Sequence, residues 1–275
     1  MSDARVAADT AGEGNAVVSS VMRTRHSTRR ALLACVACLL VAGAAPAASD
    51  AEWLDTEGQI QYAFYTEDVR ALANLAARLD SKSATEPLQG YYAALAYYRL
   101  ARTVEARDKP RASAVAERCV ANLDAVLQAR ADWADALALQ GACLGSVAEL
   151  KPLRAPFAGP HSRSQLARAL ELEPHNPRAL LLDGSLHYER PQGAGQAGKA
   201  RACGELQAAV AAFEAARVGE EHVPEWGAAE GYAYRARCDL DRGDVGGARD
   251  ALERALLMAP DFQLARRLIA HITAS

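Results

Sequence analysis

From residue 50 onward the apolar positions recur at three- and four-residue spacing. The runs Ala248, Leu252, Ala255 and Leu264, Leu268, Ile269, Ile272 each place their apolar side chains on one face of a helix. No segment shows the alternating, β-branched pattern of a strand. The periodicity breaks at Thr66, 81–85, 108–110, near Ala131, at 151–160, 174–177, 191–198, 219–224, 243–244 and at Pro260. Most breaks carry Pro, Gly, Asp or Asn, which end one helix or cap the next. The pattern predicts an all-α chain of about eleven helices, most of them about 12 to 20 residues long.

Taken two at a time, these helices repeat. A helix with Tyr232, Ala236 and Leu240 turns at Gly243-Asp244 into Ala248-x-x-x-Leu252-x-x-Ala255, and Pro260 closes the unit. A second match ends at Pro174 with Leu166 and Ala169, and a third runs through Cys119, Leu123 and Val126 with Ala131 in place of the proline. Leu137 with Gly141, and Leu180 with Gly184, supply the same apolar and small pair at the start of two units. This pattern resembles the tetratricopeptide repeat (TPR), a helix pair of about 34 residues. The resemblance implies a right-handed superhelix of antiparallel helix pairs, a TPR-like α-solenoid over residues 49–275. Asp239 at a usually aromatic position, Ser162 at a usually alanine one, and the long links after Glu149 and Tyr188 mark the repeats as degenerate. A helical bundle without repeats is the alternative. The stacking has its own physical reason: one amphipathic pair cannot bury its apolar face, and Gly141, Gly184 and Ala248 let neighbouring axes approach to roughly 8 to 10 Å.

Residues 1–48 read as a leader. Arg23, Arg25, Arg29 and Arg30 precede an apolar run over 31–41, and Ala45-Pro46-Ala47 matches the A-x-A cleavage pattern. A secretory signal peptide over about 22–48 is expected, with Met22 the alternative start and residues 1–21 an extension. The run is shorter than the roughly 20 residues that span a bilayer. Leu32-Leu33-Ala34-Cys35 looks like a lipobox, but almost nothing apolar precedes it, so lipid anchoring is not expected. Cys35-x-x-Cys38 falls in the segment to be removed. The mature chain is expected to be exported and soluble, in a bacterial periplasm. Its charge gives no nucleic-acid footprint: the whole chain carries −3, and without the leader 26 basic residues face 31 acidic ones.

Four cysteines remain. Cys119 and Cys143 lie twelve residues either side of Ala131, and Cys203 and Cys238 lie 18 and 17 residues from Glu221. In antiparallel hairpins each pair comes level, at the roughly 4 to 6 Å between Cα atoms that a disulfide needs. Two bridges, Cys119 with Cys143 and Cys203 with Cys238, are expected. The alternative is four small buried thiols.

Catalytic motifs are sought without result. The segment from Gly193 through Gly195 and Gly198 to Lys199 satisfies a Gly-rich phosphate loop, yet a helix precedes it and Ala200 stands where Ser or Thr would bind magnesium. His161, His175, His187, His222 and His271 stand singly, without metal-ligand spacing. Neither enzyme chemistry, metal nor cofactor is expected. The resemblance implies a concave binding face built from the first helix of each pair, which nominates Tyr98, Arg102, Arg178, Ser185, Tyr188 and Arg237. The tyrosines have an alternative use, filling seams between helices. A periplasmic protein-interaction scaffold is the favoured function, with a protein or peptide partner. The alternative is a binder of a small apolar ligand linked to solute uptake, which predicts a closed apolar channel where a scaffold has an open polar groove.

Overall fold

The computed structural model describes residues 50–80, 86–190, 195–216 and 224–274. The leader and the breaks at 81–85, 191–194 and 219–223 lie outside the described residues, and so does His222. Among the described residues there are eleven helices and no strand: α1 Asp50–Tyr65, α2 Val69–Asp80, α3 Pro87–Val104, α4 Lys109–Ala129, α5 Ala134–Leu150, α6 Ala155–Leu172, α7 Pro177–Glu189, α8 Gly195–Ala215, α9 Ala228–Asp241, α10 Val245–Met258 and α11 Gln263–Ala274. None of them is long and apolar enough to cross a membrane.

Side-chain oxygens start several of these helices. Asp68, Asp108 and Asp244 accept from the backbone amides of Ala71, Arg111 and Gly247 at 2.8–3.0 Å, and Asn176 accepts from Arg178 and Ala179. Each uses an amide that a helix start leaves unpaired. Gly243, at a φ of 78°, makes the left-handed turn between α9 and α10 that a residue with a Cβ would resist.

Helices pack with their chain neighbours as antiparallel pairs, and the first members also pack in series: α1 on α3, α3 on α5, α5 on α7. The result is two layers, α1, α3, α5, α7 and α9 on one side and the even-numbered helices on the other. Residues 89–101 of α3 and 134–147 of α5 are buried on every side, which is why these helices lack a polar face. The close approach forecast at Gly141 is present. A Cβ there would sit 2.7 Å from Cγ of Leu166 and 3.0 Å from the Ser162 carbonyl oxygen.

Two expected breaks are shorter than the sequence implied. α6 begins at Ala155 and holds Pro160 inside it. The proline forfeits one backbone bond just after the first turn, and burial of Ala158, Ser162, Leu166 and Ala169 on that helix offsets the loss. α8 begins at Gly195, so the glycine-rich segment from Gly195 to Lys199 is helical.

The stack turns back on itself. Gln61 and Tyr65 of α1 reach Glu230 of α9, Tyr65 stacks obliquely on Phe262 at 4.6 Å, and Arg267 of α11 pairs with Glu67. The ends of the helical series therefore meet, and α11 contributes Arg267 to the contact.

Candidate functional site

Where the ends meet, the inner layer encloses a cleft of about 510 Å³. Its walls are the end of α1 with Phe64, Tyr65 and Glu67, the last turns of α3 with Tyr98, Arg99, Arg102 and Thr103, and the following Ala106 and Arg107. Leu181, Leu182, Ser185 and Glu189 of α7 face Trp226 and the α9 residues Glu230, Ala233, Tyr234 and Arg237, while Phe262, Leu264 and Arg267 close the far side. The volume suits a single small molecule.

Arg99 organises the base of the cleft. Its side chain is 5% exposed and pairs with Glu230, itself 6% exposed. Nε donates to Gln61 Oε1 at 3.2 Å, Gln61 Nε2 donates to Tyr65 Oη at 3.0 Å, and Tyr65 Oη donates to Glu230 Oε2 at 2.7 Å. The guanidinium also lies over Phe64 at 4.2 Å and Trp226 at 4.8 Å. One charged group thus joins α1, α3 and α9 through a continuous hydrogen-bond network.

The rim is built differently. Glu189 accepts from Arg237 at 2.7 Å and lies 4.0 Å from Arg102. Arg237 rests on the rings of Tyr188 at 4.6 Å and Tyr234 at 5.2 Å, which themselves meet edge-on. Burial would raise the Glu189 carboxyl, but the hydrogen bond and charge of Arg237 outweigh it and hold the group below its ordinary value. Glu189 is therefore a poor proton acceptor at neutral pH.

Of the six residues nominated from sequence, Tyr98, Arg102, Ser185 and Arg237 line the cleft. Tyr188 stands behind the wall, buried under Arg237 and donating to Asp241 at 2.6 Å. Arg178 belongs elsewhere. It is buried and donates to Asp135 of α5 at 2.6 Å, because a polar group on a fully packed inner helix must find its partner on the neighbouring inner helix. Arg99, Arg107, Trp226, Glu230 and Arg267 were not foreseen. The available signal was Arg99 and Glu230 themselves, charged residues inside otherwise apolar runs.

Next to the cleft, Glu57 of α1 is buried and accepts from Tyr92 Oη at 3.0 Å and from the Glu225 amide at 3.0 Å. Burial pushes its carboxyl up to about 7. The folded chain then keeps a proton that the unfolded chain releases above about 4.5, so this group lowers stability as pH rises to about 7. In Glu57→Gln that loss is absent. Its stability relative to the parent chain, read by urea unfolding, should rise by about 2 to 3 kcal/mol between pH 5 and pH 8. Parallel curves for the two proteins would remove Glu57 as the cause.

His187, read as single, meets Glu205 Oε2 at 2.7 Å and Asp183 Oδ2 at 3.8 Å through Nδ1. These three ligand atoms lie within 4.8 Å of one another, a spacing that suits a small divalent ion, but the imidazole is already hydrogen-bonded to a carboxylate. Lys199 of the glycine-rich segment is committed as well, to Asp241 at 2.8 Å.

No protein-family model and no curated protein matches the chain. Among solved structures it is similar to the haemophore HusA from Porphyromonas gingivalis, with a TM-score of 0.54 and 22% identity, over 72% of this chain and 96% of that one. It is also similar to a thermophilic TPR protein from Thermus thermophilus, with a TM-score of 0.50 and 18% identity, over 82% of this chain and 100% of that one. At such identities the likeness concerns the fold, a TPR-like stack of helix pairs.

Proposed function

We propose that this chain is an exported, non-catalytic binding protein that holds one small molecule in the cleft between α1, α3, α7 and α9. The observation that carries this reading is the meeting of the two ends. Gln61 and Tyr65 of α1 bond to Glu230 of α9, so the groove that a TPR scaffold would offer to an extended peptide is crossed by the protein's own first helix. What is left is a cleft of about 510 Å³, the size of a small-ligand site. The similarity to a haemophore supports the same reading, since that protein is a carrier of a small molecule on a comparable fold. The leader pattern and the two cysteine pairs support export.

The scaffold reading keeps one observation in its favour. Leu153 and Phe157, at the turn into α6 and outside the cleft, are 94% and 79% exposed, as a docking patch for a protein would require.

Protein purified from the organism that makes it should release one small molecule per chain on organic extraction. Ser185→Trp, which fills the cleft, should remove that molecule. Titration with haem, followed by its absorption, tests the molecule suggested by the structural neighbour. A clean extract, together with a stoichiometric protein partner that survives Ser185→Trp, would move the function to the Leu153 and Phe157 patch.

A further inference from the structure

We infer that the ligand of the cleft is an amphipathic organic anion, its acidic group on the arginines at the end of α3 and its flat apolar body against Phe64, Trp226 and Phe262. The inference rests on the small-molecule reading above and adds the ligand's charge and shape.

Charge makes the first case. Five arginines and three glutamates line the cleft, and Glu105 stands beside Arg102 just outside it, so one positive charge is in excess in a chain whose formal charge is −3. The excess can be located. Arg99 is matched by Glu230 at the base, Arg267 by Glu67, and Arg237 by Glu189. Arg102 shares its carboxylates, lying 3.2 Å from Glu105 and 4.0 Å from a Glu189 already engaged by Arg237. Arg107 is exposed and has no acidic partner among the described residues. A guanidinium carries five N–H donors, so this side of the rim holds donors that the protein leaves unused. Thr103 lies one turn away on the same wall.

Preorganisation makes the second. The Arg237 plane is fixed by Tyr188 and Tyr234, and Arg102 is steadied by two carboxylates, so an incoming carboxylate, sulfonate or phosphate meets oriented donors at little entropic cost. Away from that rim the walls are aromatic: the Phe64 ring and the Trp226 indole lie 4.2 Å and 4.8 Å from the Arg99 guanidinium, and Phe262 meets Tyr65 at a tilt. Such surfaces receive a planar or ring-bearing body, and a purely apolar ligand would leave the rim arginines without a counter-ion.

Two fluorescent probes separate charge from apolar body: anilinonaphthalene sulfonate, and phenylnaphthylamine, which is the same body without the sulfonate. The full chain should bind the sulfonate at one site and at least tenfold tighter than the neutral probe. Raised salt should weaken only the sulfonate. Arg107→Glu sits at an exposed position with no partner to lose, so its fold is not at risk. It should cut sulfonate binding about tenfold and leave the neutral probe unchanged, with Arg107→Gln intermediate. Ser185→Trp should abolish binding of both probes, and Ala106→Trp, at an exposed cleft position, repeats that test should Ser185→Trp not fold. Equal affinity for the two probes, or an equal loss of both in Arg107→Glu, would overturn the anion inference while leaving the cleft as the ligand site. Binding unaffected by either tryptophan would overturn the cleft reading itself.

Discussion

Glu230→Leu is expected to destabilise the protein by roughly 3 to 5 kcal/mol, because it strands the Arg99 guanidinium in a water-poor interior. Both side chains are nearly inaccessible, at 5% and 6%, so solvent cannot take over the charge. The pair as a whole has a different value from either half. Removing two ions from water costs about what their attraction returns, so the double variant Arg99→Met with Glu230→Leu should regain most of the stability. Gln61 and Tyr65 make this recovery possible: Gln61 Nε2 already donates to Tyr65 Oη at 3.0 Å, and with Arg99 replaced a flip of the Gln61 amide offers its carbonyl to the Tyr65 hydroxyl in place of the lost carboxylate. Urea unfolding of the two single variants and the double variant gives the coupling energy, expected to exceed about 2 kcal/mol. The exposed pair Arg254 and Glu214, 59% and 48% accessible, provides the contrast and should couple by less than about 1 kcal/mol. A cost below about 1 kcal/mol for Glu230→Leu would mean that α1 does not rest on α9 in solution, and the closed cleft would go with it.

That contact also marks the limit of what could be read from the chain. Helices, their caps and their pairing are local properties. Asp108 before Pro110, Asn176 before Pro177 and Asp244 after Gly243 are visible as start signals because the amide they satisfy lies two or three residues away. The Cys119 and Cys143 level depends only on one hairpin. The contacts of Gln61 and Tyr65 with Glu230 span 169 and 165 residues, and they exist because small rotations accumulate over four helix pairs. No periodicity within a helix encodes that sum. The same gap explains Arg178. At the first turn of an inner helix a polar residue can face the groove or the previous repeat, and only the position of Asp135 decides between them. Four nominated cleft residues lie where the inner layer had to face inward, whereas Arg107, Trp226 and Arg267 stand beyond helix ends or on the closing helix, where repeat logic has no register to offer.

The cysteine pairs carry the second large effect. Cys119 and Cys143 join α4 to α5 with Cα atoms 6.1 Å apart, and Cys203 and Cys238 join α8 to α9 at 5.7 Å. Closing loops of 24 and 35 residues restricts the unfolded chain, so replacing either pair by alanine should cost roughly 3 to 4 kcal/mol. The two losses should differ in kind. Cys119 and Cys143 lie in the packed stack, where the short turn between α4 and α5 already holds the hairpin, so the double alanine variant should unfold earlier yet bind as before. The Cys203 and Cys238 bridge fixes α9, which carries Glu230, Tyr234 and Arg237 into the cleft wall, so its removal should weaken probe binding as well as stability. Intact mass after alkylation checks the bridges directly, with no thiol modified until denaturant and reductant are both present and four modified thereafter. Four reactive thiols without reductant would end the proposal, and equal effects of the two pairs on binding would separate the bridge from the cleft.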